Sequence, residues 1–197
     1  LMKSVVIFGG RGFVGCYVAK YFIDKSNFDQ IHLVDISNPN DLSDFRKNMI
    51  DNEKIIHHVN DVREEINIQL SGEICEIYNF AAVHREPGHI DFEYFETNLL
   101  GAENICKWAE NVNCKKLIFT SSISPYGVSE MIKDESSIPI PITAYGSSKL
   151  AAEKIHCAWQ AKSNQNQLLI VRPGVIFGAS EGGNVSRLIK AVKNRYF

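Results

Sequence analysis

Residues 4–9 read SVVIFG and run straight into residues 9–15, GGRGFVG. A short apolar run rich in Val and Ile, cut off by glycines, predicts a buried strand that turns sharply into a helix. Two glycine patterns overlap in the turn, Gly9-x-x-Gly12-x-x-Gly15 and Gly10-x-Gly12-x-x-Gly15. Such a turn lets backbone N–H groups approach a pyrophosphate, and the helix N-terminus that follows favours negative charge. A glycine motif alone says little. Placed between a strand and a helix, it predicts a dinucleotide-binding turn. The Gly-Lys-Ser/Thr ending of a mononucleotide P-loop is absent.

Further apolar runs follow at 31–35, 54–59, 76–82, 116–122 and 168–173. They are apolar on both faces, as strands inside a parallel sheet are. Helical patterns lie between them, near 13–25, 41–49, 64–70, 91–111, 144–163 and 184–194. This alternation predicts an α/β fold, a doubly wound parallel sheet of Rossmann type with helices on both faces. Ligands bind at the carboxyl ends of the strands in such sheets, so the residues after each run matter most.

The second run ends in Asp35, twenty residues past Gly15. A carboxylate there can accept hydrogen bonds from the adenosine ribose and would repel a 2′-phosphate, which favours NAD over NADP. After the third run, Asp61 could accept from adenine while the Val62 backbone serves the ring, although an Asp at this point, taken alone, is more often a plain loop residue. Ala81 and Ala82 end the fourth run and would let the backbone lie close to a dinucleotide. The fifth run ends at Thr120, Ser121 and Ser122. The next helix opens with TAYGSSKLAAEK, residues 143–154, which sets Tyr145 and Lys149 four residues apart on one face. A phenol is a poor base at neutral pH, and a neighbouring ammonium lowers its pKa. Tyr145 could then take a proton from an alcohol held by Ser122 as hydride leaves for the cofactor.

The bulk composition suits one soluble globular domain. The chain has 197 residues, 45% hydrophobic and 22% charged, with a net charge of −2. That balance offers no general attraction to nucleic acid or to an anionic membrane. Five cysteines in an odd set, without a C-x-x-C pair, fit free thiols in a reducing cytoplasm. His84 and His89 have no partners at metal-ligand spacing, so no metal is expected.

The stretches GGRGFVG, HLVD, NDVR, NFAAV, TNLLGAENI, FTSSISPYG, AYGSSKLAAEK and RPGVIFG occur together and in this order, as far as about residue 183. In this the chain resembles the extended short-chain dehydrogenases/reductases of the NAD-dependent epimerase/dehydratase branch. The resemblance implies that Gly9, Gly12 and Gly15, with Phe13 and Val14 between them, cradle the pyrophosphate of NAD. It places Asp35 on the adenosine ribose, Asp61 and Val62 on the adenine, and Ala81 and Ala82 along the dinucleotide. Lys149 would hold the nicotinamide ribose, Ser122 and Tyr145 would act on a sugar hydroxyl, Asn98 would support the site, and Arg172 would stand beside the nicotinamide. A nucleotide-sugar epimerase forming a homodimer is the activity implied. A reductase or dehydrogenase of the same branch and a non-catalytic NAD-binding module are the alternatives.

The Asp-Glu pair of the dehydratases is replaced by Ile123 and Ser124, which disfavours elimination of water. His84, Arg85 and His89 form a polar loop over the expected cleft and either meet a substrate phosphate or are surface. Residues 1–183 are read as the NAD-binding domain carrying the catalytic residues. Residues 184–197 are read as the truncated start of a small substrate domain that is otherwise absent. The resemblance implies that the two long helices pair across a two-fold axis into a four-helix dimer interface, for which Trp108 and Trp159 are read as apolar surplus.

Overall fold

The computed structural model describes residues 1–84, 88–179, 181 and 183–196. Six strands form one sheet: β1 (Lys3–Phe8), β2 (Gln30–Asp35), β3 (Ile55–Val59), β4 (Glu73–Asn79), β5 (Lys116–Thr120) and β6 (Gln167–Val171). All pairings are parallel, in the order β3-β2-β1-β4-β5-β6. The order reverses beside β1, and there a doubly wound sheet opens a crevice for its ligand.

The helices are α1 (Phe13–Lys25), α2 (Asp44–Met49), α3 (Asp91–Phe95), α4 (Gly101–Asn111), α5 (Ala144–Ala161) and α6 (Asn184–Lys193). A π-helical turn, Glu96–Leu100, joins α3 to α4 without a break.

Strand alternation explains the two cores. On β1, Val6 and Phe8 face one side and pack with Ile105, Trp108, Phe119 and Trp159, under α4 and α5. Val5 and Ile7 face the other side and pack with Cys16, Ala19, Phe22 and Leu33, under α1. All four β1 residues are fully buried. Trp108 meets Phe8 edge-on, with ring centroids 5.5 Å apart.

Three expectations change. The pattern near 64–70 is not a helix. Ile66 is buried, Ile68 and Leu70 are partly buried against the core, and the residues between them are exposed. That alternation has period two, so the segment lays every second side chain on the core without turning. β4 starts earlier than 76, because Ile74 is already buried beside β1, and it ends at Asn79. Trp108 and Trp159 are 4% and 2% exposed and belong to the core, so neither can form a dimer surface.

Candidate functional site

The glycine turn is closed by contacts that side chains would block. Gly9 has a φ of 71°. A Cβ on it would come within 2.8 Å of the Ala81 nitrogen and the Phe80 carbonyl carbon. A Cβ on Gly15 would run into the Gly9 carbonyl oxygen and lie 2.7 Å from the Gly10 Cα. Gly9 and Gly10 both donate to the Val34 carbonyl, at 2.8 and 3.2 Å, which anchors the turn to β2. Gly12 caps α1, whose first turn has no side-chain cap and no acidic residue. Such a helix start is suited to an anion, and the turn fits a pyrophosphate on that ground.

Arg11, in the middle of this turn, is 2% exposed. Its guanidinium donates to the carbonyls of Leu33, Asp35, Ser37 and His58, at 3.2, 2.8, 2.5 and 3.0 Å. It staples the ends of β2 and β3 together. Burial lowers its pKa, and Asp35 opposes the shift. A charged residue inside an apolar turn was the sequence signal for this staple.

The cleft has two chambers along the carboxyl ends of the strands. The first, about 320 Å³, is lined by the turn residues Gly9, Gly12, Phe13, Val14 and Gly15 and, opposite them, by Ser122, Tyr145 and Lys149. The second, about 460 Å³, is lined by Asp35, Asp61, Val62, Ala81 and Ala82. Gly9, Gly12 and His84 border both chambers. His89 borders the second and pairs with Glu93 at 2.7 Å. Arg85 lies outside the described residues.

In the second chamber, Asp35 Oδ2 accepts from the Arg11 backbone N–H at 3.0 Å, and Oδ1 accepts from the Ser37 N–H and hydroxyl at 3.1 and 3.0 Å. The carboxylate is thus fixed at the chamber wall. Asp61 is less available than its position suggests. Arg63 grips it through Nη2 at 2.6 Å and Nε at 3.0 Å, holding its carboxyl below the usual range.

In the first chamber, Thr143 caps α5 by accepting from the Gly146 N–H at 3.1 Å. This starts the helix where Tyr145 and Lys149 reach the cleft. The Lys149 ammonium donates to the Thr120 carbonyl at 2.7 Å and stands 4.3 Å from the Phe119 ring centroid. The residue is 2% exposed. Burial pushes its pKa down to about 7, against the pull of Glu153. The Tyr145 ring lies against that of Tyr94, at a centroid distance of 5.9 Å. Ser122 Oγ bonds Ser124 Oγ and accepts from the Ser124 N–H, both at 3.1 Å.

Two predicted residues do not line the cleft. Asn98 is buried in the π-turn and works from behind. Its amide brackets the Val83 backbone, accepting at 3.1 Å and donating at 3.3 Å. It also donates to Ser148 Oγ at 2.9 Å, and Ser148 in turn bonds the Tyr145 carbonyl at 2.8 Å. Arg172 is the correction: its guanidinium forks onto Glu153 and stacks over Tyr126 at 4.7 Å, while Pro173 beside it reaches the cleft. Pairing with a buried carboxylate holds it back from the cavity.

This is a doubly wound α/β domain whose glycine turn faces a Ser, Tyr and Lys set across one cleft. Residues 5–196 match the NAD dependent epimerase/dehydratase family, and the chain belongs to it. It is 33% identical over 145 residues to the N-acetyl-alpha-D-glucosaminyl-diphospho-ditrans,octacis-undecaprenol 4-epimerase of Escherichia coli O157:H7, covering 72% of this chain and 44% of that protein. It is 25% identical to the UDP-glucose 4-epimerase of Bacillus subtilis, covering 97% of this chain and 58% of that one. A solved UDP-glucuronic acid 4-epimerase from Bacillus cereus, in complex with UDP-glucuronic acid and NAD, shares the fold with a TM-score of 0.80 at 22% identity. That match covers 97% of this chain and 63% of the solved one. The chain thus spans about half the length of the curated relatives it matches.

Proposed function

We propose that this chain is the cofactor-binding and catalytic part of an NAD-dependent sugar 4-epimerase acting on a nucleotide sugar. The observation that carries the reading is one cleft bordered by both the glycine turn and the set Ser122, Tyr145 and Lys149. Relatives in two kingdoms of substrate carrier, lipid diphosphate and nucleotide, are 4-epimerases by name, which supports the reaction class. Bound NAD would supply a hydride acceptor that later returns the hydride to the sugar.

The chain's own residues supply the rest. The glycine turn and the start of α1 hold the pyrophosphate, and Asp35 holds the adenosine ribose. Asp61 meets adenine only by sharing its carboxylate with Arg63. Ser122 Oγ orients the sugar hydroxyl, and the Tyr145 oxygen takes its proton. Lys149 provides the adjacent positive charge that makes the phenolate accessible near neutrality. Asn98 fixes the Tyr145 carbonyl through Ser148. Residues 1–183 form the cofactor domain and 184–197 begin the substrate region. The protein works in the cytoplasm as a homodimer; with both tryptophans in the core, exposed Phe92, Phe95 and Leu100, among the described residues near α4, would support that contact.

The test is Tyr145→Phe in the full-length protein. Turnover of a nucleotide sugar should fall by about 10²–10⁴-fold, the usual worth of a general base, with NAD still bound. Near-normal turnover would sink the mechanism. A second reading replaces the nucleotide with a polyprenyl diphosphate carrier, favoured by the 33% identity to an enzyme named for that substrate. Parallel assays with the two carriers decide between them.

A further inference from the structure

Glu153 stands four residues beyond Lys149 on the same face of α5 and is 2% exposed. Its carboxylate accepts from Ser121 Oγ at 2.5 Å and from Arg172 Nε and Nη2 at 2.8 and 2.6 Å. Ser121 follows β5 and Arg172 follows β6, so one carboxylate ties α5 to two strand ends. The backbone repeats the tie: Ser121 donates to the Val171 carbonyl at 2.8 Å and Ile123 to that of Pro173 at 3.1 Å. Ser122 lies between these two bonds. A buried carboxylate is costly to keep, and removal of its partner leaves an uncompensated charge. Packing alone would not call for one here.

We propose that Glu153 is a positioning residue that fixes the Ser122 loop and sets the charge on Lys149. The inference rests on the epimerase reading of this site. Lys149 has Tyr145, Glu153 and His156 as its neighbours one and two turns away on α5, and Arg172 pairs with Glu153. His84 and Glu181 line the same cavity. Among these, Glu153 is the group that holds the Lys149 amine up against burial. Arg172 offsets part of that negative charge.

The experiment follows the Lys149 titration by NMR of ¹³Cε-lysine protein without cofactor, with Lys149→Met assigning the signal. The parent midpoint is expected at about 7. Glu153→Gln keeps the shape and removes the charge, so the midpoint should fall by about one pH unit or more. Arg172→Gln strips the cation from Glu153, so the midpoint should rise. A carboxylate with a packing role alone would move neither, or both in one direction, and either result overturns the proposal. If Glu153→Gln does not fold, the Arg172→Gln shift decides alone. Calorimetric NAD titration of the same samples separates the two claims. Opposite shifts without NAD binding would refute the epimerase reading and keep the positioning role. NAD binding with unmoved midpoints would do the reverse.

Discussion

Lys149 puts one buried amine at the wall of the cleft. Burial lowers its pKa to about 7, so the amine changes charge near neutral pH. The charge that the proposed mechanism asks of Lys149 is lost above that point, so turnover should fall as pH rises through about 7; a flat profile between pH 6 and 8 would remove Lys149 from this role. Asp35 carries a second prediction. Held by Arg11 and Ser37, it cannot swing away from a 2′-phosphate, so the parent should bind NAD in preference to NADP. Asp35→Ala should narrow that preference in a paired titration, and an unchanged ratio would place discrimination elsewhere. The placement of Ser122, Tyr145, Lys149 and Asp35 at the cleft was legible because spacing sets them at strand ends or on one helical face. Glu153 was not, because its meaning comes from burial among groups distant in sequence; for Arg11, a charge inside an apolar turn was the only hint, and its partners lie on β2 and β3. Arg172 was misplaced for the same reason: its partner, Glu153, is nineteen residues away.

The alternation of strand and helix was readable because each strand is an apolar run bounded by polar or glycine-rich turns. The segment 64–70 misled because Ile66, Ile68 and Leu70 suit a period-two ribbon on the core as well as a short helix. The π-turn at Glu96–Leu100 left no composition signal, since a π-turn in mid-helix changes no residue type. Its consequence is Asn98, aimed at both the loop after β4 and α5. Asn98→Ala would leave the half-buried Val83 N–H without its acceptor and Ser148 without its donor. An unfolding free energy lower by about 1–3 kcal/mol is expected, together with reduced turnover because Tyr145 loses its brace. Urea unfolding and a steady-state assay of one preparation test both; normal values for each would show that the bracket is dispensable.

Across the whole molecule, burial of neutral histidines ties stability to pH. His32 on β2 and His156 on α5 are each 2% exposed or less, and burial pushes both down to about 4. His156 donates from Nδ1 to the Ala152 carbonyl at 2.7 Å, and its Nε2 accepts from Asn79 at 3.3 Å. Neither bond system has room for a second ring proton. His32 meets His58 at 3.0 Å, and His58 is lowered by burial and by Arg11. The unfolded chain takes up protons on these rings near pH 6.5, while the folded chain does not until about 4. Stability is thus fully present above 6.5 and is lost as pH falls through that window. Each fully buried ring should contribute a slope of about 1.4 kcal/mol per pH unit. Lys149 acts elsewhere: its depressed pKa makes stability climb between about 7 and 10.5, where the unfolded chain holds the extra proton. The interval from pH 6.5 to 5 therefore isolates the histidines, above the range where most carboxylates titrate. Unfolding free energies measured across it should drop steeply for the parent and less steeply for His156→Gln, by about one proton's worth of slope. Parallel lines for the two proteins would mean that His156 is already protonated in the folded state, and its contact with Ala152 would need another explanation.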